Sequence, residues 1–447
     1  MKNTAPTNRH QQLFALAIPM ILSNITVPLL GLVDTAVLGH LSHAYYLGGA
    51  TVGAMLITAL TWLCGFLRMS STGLAAQAYG SKDATENLAV LIRGLAVALL
   101  LGLLFVLCQG FYLEVGLWLA GGSADIQYHA KVYAQIRIWG LPAALANLVI
   151  LGWLLGNHQA KKVMWLLIVT NLTNLILDLW FVLGLQWSIA GVARATVIAE
   201  YFGFFLGLLM IFQQTQWLTL LKNKVLFHWP TVFALSHLKQ FFQLNRDILL
   251  RTLCLEICFL FITFQGARLG DEVVATNAIL LNFLLLISFG LDGVANAAEA
   301  LVGEAKGANK PKQLRSVVNL SLFWTAVFAI FYSVIFIVFG EALVRLMTNI
   351  ETVMVLTNTY IVWLWVMPIL ACWCYLFDGV YIGLMRAKVM RNSMIISTFL
   401  GFFPLWFIFQ SLGNHAIWLA FSIFMLIRGA TLAWHYYYRI IKQEMSI

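Results

Sequence analysis

Twelve apolar runs, each long enough to cross a bilayer, leave this chain few ways to fold. They lie near 13–38, 47–72, 88–110, 132–155, 163–184, 190–211, 246–267, 274–301, 317–340, 355–384, 392–411 and 414–438. Inside hydrocarbon every backbone N–H and C=O must find its partner within the protein, so isolated runs of this length fold as helices. The expected fold is an all-α membrane protein of twelve transmembrane helices. A composition of 61% hydrophobic and 10% charged residues excludes a soluble globule. The formal net charge of +9 would suggest nucleic acid in a soluble protein. Here it follows from Lys and Arg gathered in loops on one side of the membrane. With the N-terminus inside, that side holds Lys2, Arg9, Lys82, Lys161, Lys162, Lys222, Lys224, Lys239, Lys306, Lys310, Lys312, Arg315, Arg386, Lys388, Arg391, Arg439 and Lys442. The other side holds only Lys131, Arg268 and Arg345. Both termini are therefore expected in the cytoplasm. Polar Met1 to Gln12 runs straight into the first span without a small-residue cleavage site, so that span is expected to stay as a helix.

The chain repeats itself. Gln77-Ala78-Tyr79-Gly80-Ser81 parallels Glu304-Ala305-Lys306-Gly307-Ala308, Tyr133 parallels Tyr360, and Gly152, Gly156, Ala160 and Lys161 parallel Gly379, Gly383, Ala387 and Lys388. Every pair has the offset 227 (379 − 152). Chance matches would scatter. Six spans per copy is an even number, so both copies insert the same way up, giving two six-helix bundles related by a pseudo-two-fold parallel repeat with a cleft between them. The expected domains are an N-terminal bundle over 1–212, a cytoplasmic amphipathic linker over 213–245 and a C-terminal bundle over 246–447. The linker mixes Lys222, Lys224, His228 and Lys239 with Trp217, Phe227, Trp229 and Phe241, as a segment lying on the membrane surface does.

Asp34 closes the first apolar run. An ionised carboxylate at mid-membrane costs roughly 2.5–3.5 kcal/mol on insertion scales, so it implies a compensating environment or a use. A position near the helix end, reaching the headgroups, is the other reading of this residue alone. Pro19 and Pro28 precede it, and each removes a backbone donor and can bend the helix. In the fifth span Asn171, Asn174 and Asp178 recur at spacings of three and four, on one helix face. An acid backed by two amides suits a proton or sodium site, because the amides can bond either form of the acid; a polar stripe along a water-filled cleft is the bland alternative. Thr196 and Glu200 share a face of the sixth span, and Tyr133 and Arg137 one of the fourth. Glu200 can simply pair with Arg137 or Arg194.

The second copy does not repeat the acids: the offset takes Asp34 to Phe261, Asn174 to Gly401 and Asp178 to Leu405. It carries instead Glu256, Asp292, Glu299 and Asp378, with Arg251 placed to neutralise Glu256. Cys64, Cys108, Cys254, Cys258, Cys372 and Cys374 all lie in apolar runs and read as packing residues, with no disulfide or metal role. Trp62, Trp153, Trp187, Trp363, Trp365 and Trp418 suit either interface anchoring or, with Met55, Met69 and Met385, an adaptable pocket.

These residues together resemble the multidrug and toxic compound extrusion transporters, within them the branch named after DNA-damage-inducible protein F. The resemblance spans nearly the whole chain. It rests on Ile18-Pro19-Met20 and Val33-Asp34-Thr35 with Leu38-Gly39-His40-Leu41 in the first helix, and on Ala76-Gln77-Ala78-Tyr79-Gly80 after the second. Ala193-Arg194-Ala195-Thr196 in the sixth and Asp378-Gly379 followed by Gly383 in the tenth complete it. It implies a cation-coupled antiporter, not an enzyme, exporting amphipathic or cationic small molecules in exchange for protons by alternating access. It implies proton-site roles for Asp34, Asn174, Asp178, Thr196 and Tyr133 and a helix-1 bend near Pro19; Pro28 is additional to the family's pattern and can move that bend. By analogy with another branch, Glu256 and Asp378 form a second-lobe candidate cation site. Sodium coupling and a lipid-linked glycan flippase of the same superfamily are the rival readings. The excess of intramembrane acids over Arg68, Arg137, Arg194, Arg251 and Arg428 speaks against an anionic substrate. No cofactor and no metal are expected beyond the coupling ion, H+ or Na+. The expected partners are the small-molecule substrate and membrane lipid, with no nucleic acid, for a monomer in a bacterial inner membrane.

Overall fold

The computed structural model describes residues 8–39, 44–120, 123–213, 235–348 and 350–441, leaving out the side chains of 27–39, 44–47, 235–238, 240, 271 and 439–441. The side chains of Asp34 and Pro28, and most of the linker expected over 213–245, thus lie outside the described residues. The described chain is helical, with no strand. Its helices are α1 (Arg9–Gly39), α2 (Ala44–Leu63), α3 (Phe66–Gly80), α4 (Ala84–Leu107), α5 (Gln109–Ala120), α6 (Ala124–Arg137), α7 (Leu141–Gly156), α8 (Ala160–Leu179) and α9 (Ser188–Phe212), followed by α10 (Leu235–Leu269), α11 (Asp271–Gly307), α12 (Pro311–Met347), α13 (Glu351–Tyr360), α14 (Val362–Gly383), α15 (Ala387–Ile396), α16 (Phe403–Phe409) and α17 (Asn414–His435). Ten stretches among the described residues are long and apolar enough to cross a membrane. α1 and α10, of 31 and 35 residues, supply the other two of the twelve expected.

Several helix ends follow from local chemistry. Asp83 caps α4 by accepting from the Glu86 amide at 2.9 Å, which satisfies a donor the first turn leaves free. Pro311 opens α12, where its missing N–H costs nothing. α6 passes into α7 through a tight turn at Ile138–Gly140, just before Pro142.

Two compact units result. One holds α1 as far as Ile21 together with the chain from Phe242 onward; the other runs from Leu22 to Phe241. The unit from Phe242 onward has a continuous aromatic core around Phe402, Trp418, Phe421 and Phe424. There the Trp418 indole donates to Asn277 at 2.9 Å, and Asn277 and Asn414 exchange side-chain hydrogen bonds at 2.8 and 2.9 Å. Such a closed amide pair lets polar groups sit in an apolar core without an orphaned donor.

The sequence offset recurs in the packing within each unit. A Cβ on Gly152 would strike the Arg68 carbonyl, and one on Gly379 the Ala295 carbonyl, 227 residues further on in both partners. A Cβ on Gly156 would come to 2.6 Å from the Thr72 carbonyl, and one on Gly383 to 2.5 Å from that of Glu299. α7 therefore lies against α3 as α14 lies against α11. Helix closures match as well. Lys82 and Asn309 both turn left-handed (φ 59° and 54°), as do His158 and Met385 (61° and 58°) and Gln186 and Gly413 (56° and 58°). Asp83 bonds back to Ala78 at 3.0 Å and Lys310 to Ala305 at 3.0 Å, the six-residue closure of a Schellman ending.

Candidate functional site

The polar face of α8 is half-buried at Asn171 and buried at Asn174 and Asp178. Asn171, at the near end, donates through Nδ2 to the Thr26 hydroxyl of α1 at 2.9 Å, and Thr26 donates in turn to the Ser23 carbonyl at 2.7 Å. One turn on, Asn174 is 2% exposed, and among the described residues neither its amide oxygen nor its amide nitrogen has a hydrogen-bond partner. Each unsatisfied buried group costs about 1–3 kcal/mol. Asp178, a further turn on, is 0% exposed. Directly beyond Leu179 the helix widens into a π turn over Trp180–Gly184. Such turns shift the register of the side chains that follow and cluster at functional sites.

Of the other residues singled out from the sequence, Tyr133 is buried against Val182, Val192 and Ala193, which brings it to the first turns of α9. The Thr196 hydroxyl is tied to its own helix, donating to the Val192 carbonyl at 3.0 Å. Arg137 and Glu200 pair at 2.9 Å, with the Tyr133 hydroxyl within the electrostatic reach of the guanidinium. That ion pair sits against Gly140, where a Cβ would collide with the Glu200 carboxylate. Pro19 lies inside α1, which continues as helix through it. The boundary between the two units falls two residues further on.

The acids of the other unit are arranged differently. Asp378 accepts from Arg428 at 2.6 Å and also from Arg251, all three side chains being nearly buried. Arg251 was expected to neutralise Glu256 and does not. Five residues along a helix places them about 140° apart around its axis, whereas Asp378 comes from a facing helix. Among the described residues Glu256 makes no ion pair. The carboxylate of Asp378 is thus paired through one oxygen with two guanidiniums, and their positive charge repels a further cation. Arg428 is the contributor that sequence reading missed. It stands 50 residues from Asp378 with no spacing signal to connect them.

A helical membrane scaffold built twice over, with polar side chains buried between its helices, is of the class to which duplicated membrane transporters belong. The MatE family model matches residues 19–180 and 248–407, one stretch per copy, and the chain belongs to that family. It is 42% identical over 435 residues to DNA damage-inducible protein F of Escherichia coli, covering 97% of this chain and 94% of that one. It is 26% identical over 332 residues to multidrug and toxin extrusion protein 1 of Homo sapiens, covering 72% and 55%. Among solved structures, a MATE protein in complex with MaD3S superposes with a TM-score of 0.85 at 18% identity, covering 97% of each chain. The relatives are transporters of small molecules, not enzymes, and this chain is an integral membrane protein of the same kind.

Proposed function

We propose that this protein is a proton-coupled exporter of amphipathic or cationic compounds, working by alternating access in a bacterial inner membrane with both termini cytoplasmic. The observation that carries the reading is Asn174: a buried amide without a partner among the described residues, one turn from the fully buried Asp178. An amide can donate to a carboxylate and accept from a carboxylic acid, so it serves both states of a titrating group. Asp34 is the expected partner acid on α1, and Asn171 fastens α1 to α8 eight residues before it. Protonation would remove the counter-charge of a bound cation and let α1 bend at Pro19 or Pro28, so that proton and substrate compete. Tyr133 and Thr196 border the site. Pairing of Asp378 with two arginines favours coupling through Asp34 and Asp178 over a site made by Glu256 and Asp378. The excess of Lys and Arg on one set of loops supports the orientation.

The test is efflux of a cationic dye from proteoliposomes, driven separately by a proton and by a sodium gradient. A proton gradient alone should drive export, and Asp34→Asn and Asp178→Asn should each insert normally yet abolish it. Export driven by sodium alone, or wild-type rates with unchanged pH dependence in both variants, would overturn the reading.

A further inference from the structure

Arg194 belongs to the Ala193-Arg194-Ala195-Thr196 motif, of which the transport reading uses Thr196 alone. It lies six residues into α9, about 9 Å along a helix of 25 residues, and its side chain is exposed. Among the described residues it makes no ion pair. Its guanidinium lies 4.9 Å from the centre of the Trp187 ring. The two border a cavity of about 490 Å³ whose other walls include Gln135, Trp139, Phe181 and Ile198. Trp139 is 56% exposed and Trp187 41%. The Phe181 and Trp187 rings pack at a 40° tilt with centroids 4.9 Å apart, and the Trp139 carbonyl accepts from the Tyr201 hydroxyl at 3.0 Å.

We propose that this cavity binds an anionic phospholipid, with Arg194 holding the headgroup phosphate and the aromatic walls holding the upper part of an acyl chain. An unpaired arginine this far into a spanning helix must either reach the interface or recruit an anion. A planar guanidinium pairs with two phosphate oxygens at once. Two exposed tryptophans beside it are what the headgroup boundary selects. The volume lies within the range of ligand cavities, roughly 300–1,000 Å³. The positive charge repels the cationic compounds proposed as transport substrates, which separates this site from that one.

Hydrogen–deuterium exchange of the α8–α9 turn tests this with the full-length protein in nanodiscs. Phosphatidylglycerol should slow exchange at residues 185–188 about fivefold relative to phosphatidylcholine, the effect of roughly 1 kcal/mol per basic residue at an anionic surface. Arg194→Gln should abolish the difference, and Arg194→Lys should keep part of it. Should Arg194→Gln not fold, Trp187→Leu serves in its place and should likewise remove the protection. Equal exchange in the two lipids, protection that survives these changes, or protection by ethidium in phosphatidylcholine discs would each overturn the proposal, the last in favour of a drug portal.

Discussion

The Asp378 carboxylate receives the Arg428 guanidinium at 2.6 Å, and Arg251 closes on the same oxygen. Two cations sharing one buried anion make a cluster that holds only while the anion stays. Asp378→Asn should therefore destabilise the protein by about 3–5 kcal/mol, because it leaves two buried charges uncompensated. Replacing all three together (Arg251→Met, Asp378→Leu, Arg428→Met) should recover most of that loss. Equilibrium unfolding in mixed detergent measures both. An Asp378→Asn protein of wild-type stability would restore Asp378 as a free acid.

The unpartnered amide of Asn174 predicts a divergence between stability and activity. Asn174→Leu removes two unsatisfied polar groups, so the melting temperature should stay level or rise, while dye efflux falls sharply. Combined with Asp178→Asn it should lose little more activity than Asp178→Asn alone, as residues acting as a unit do. Additive losses would show that the two act separately.

Gly140 and Glu200 give a suppressor test. Gly140→Ala should displace the Glu200 carboxylate, break its 2.9 Å pairing with Arg137 and destabilise the protein by about 1–3 kcal/mol. Glu200→Ala removes the group that is struck. The double variant should then be clearly less damaged than the sum of the singles, measured by thermal melting.

The matched glycines predict matched costs. Gly156→Ala and Gly383→Ala each push a methyl group to within 2.6 and 2.5 Å of a carbonyl on the neighbouring helix. Each should cost about 1–3 kcal/mol, and the two losses should agree closely. A large difference in unfolding free energy would mean that one helix pair relaxes where the other does not.

How much of this was visible in the sequence depends on the kind of signal. Gly152 and Gly379 were legible because close helix approach requires the same residue type in both copies, and identity at a fixed offset survives in the letters. The α8 face was legible because helical periodicity puts Asn171, Asn174 and Asp178 in line. The clamp on Asp378 was not: Arg251 and Arg428 reach it from other helices, and pairing across helices leaves no spacing in the chain. The π turn at Trp180–Gly184 was also hidden, since one extra residue in a turn changes hydrogen bonding without changing composition. Thr196 was legible as a polar residue, but its bond to its own helix at Val192 was not.

The turn between α8 and α9 differs in sequence from its counterpart in the later copy. At corresponding places the later copy has Gly413 and the earlier one Gln186, and the backbone is left-handed at both, with φ of 58° and 56°. The positive φ is common to both while the residue differs, although a side chain there costs roughly 1–2 kcal/mol. A pair of swaps makes this difference measurable. Gln186→Gly should gain about that amount of stability, and Gly413→Gln, whose ψ of −127° also crowds a side chain, should lose at least as much. A positive φ is thus carried by a side chain in one copy and by glycine in the other, and at Gln186 that strained residue immediately precedes Trp187, the ring beneath the Arg194 guanidinium.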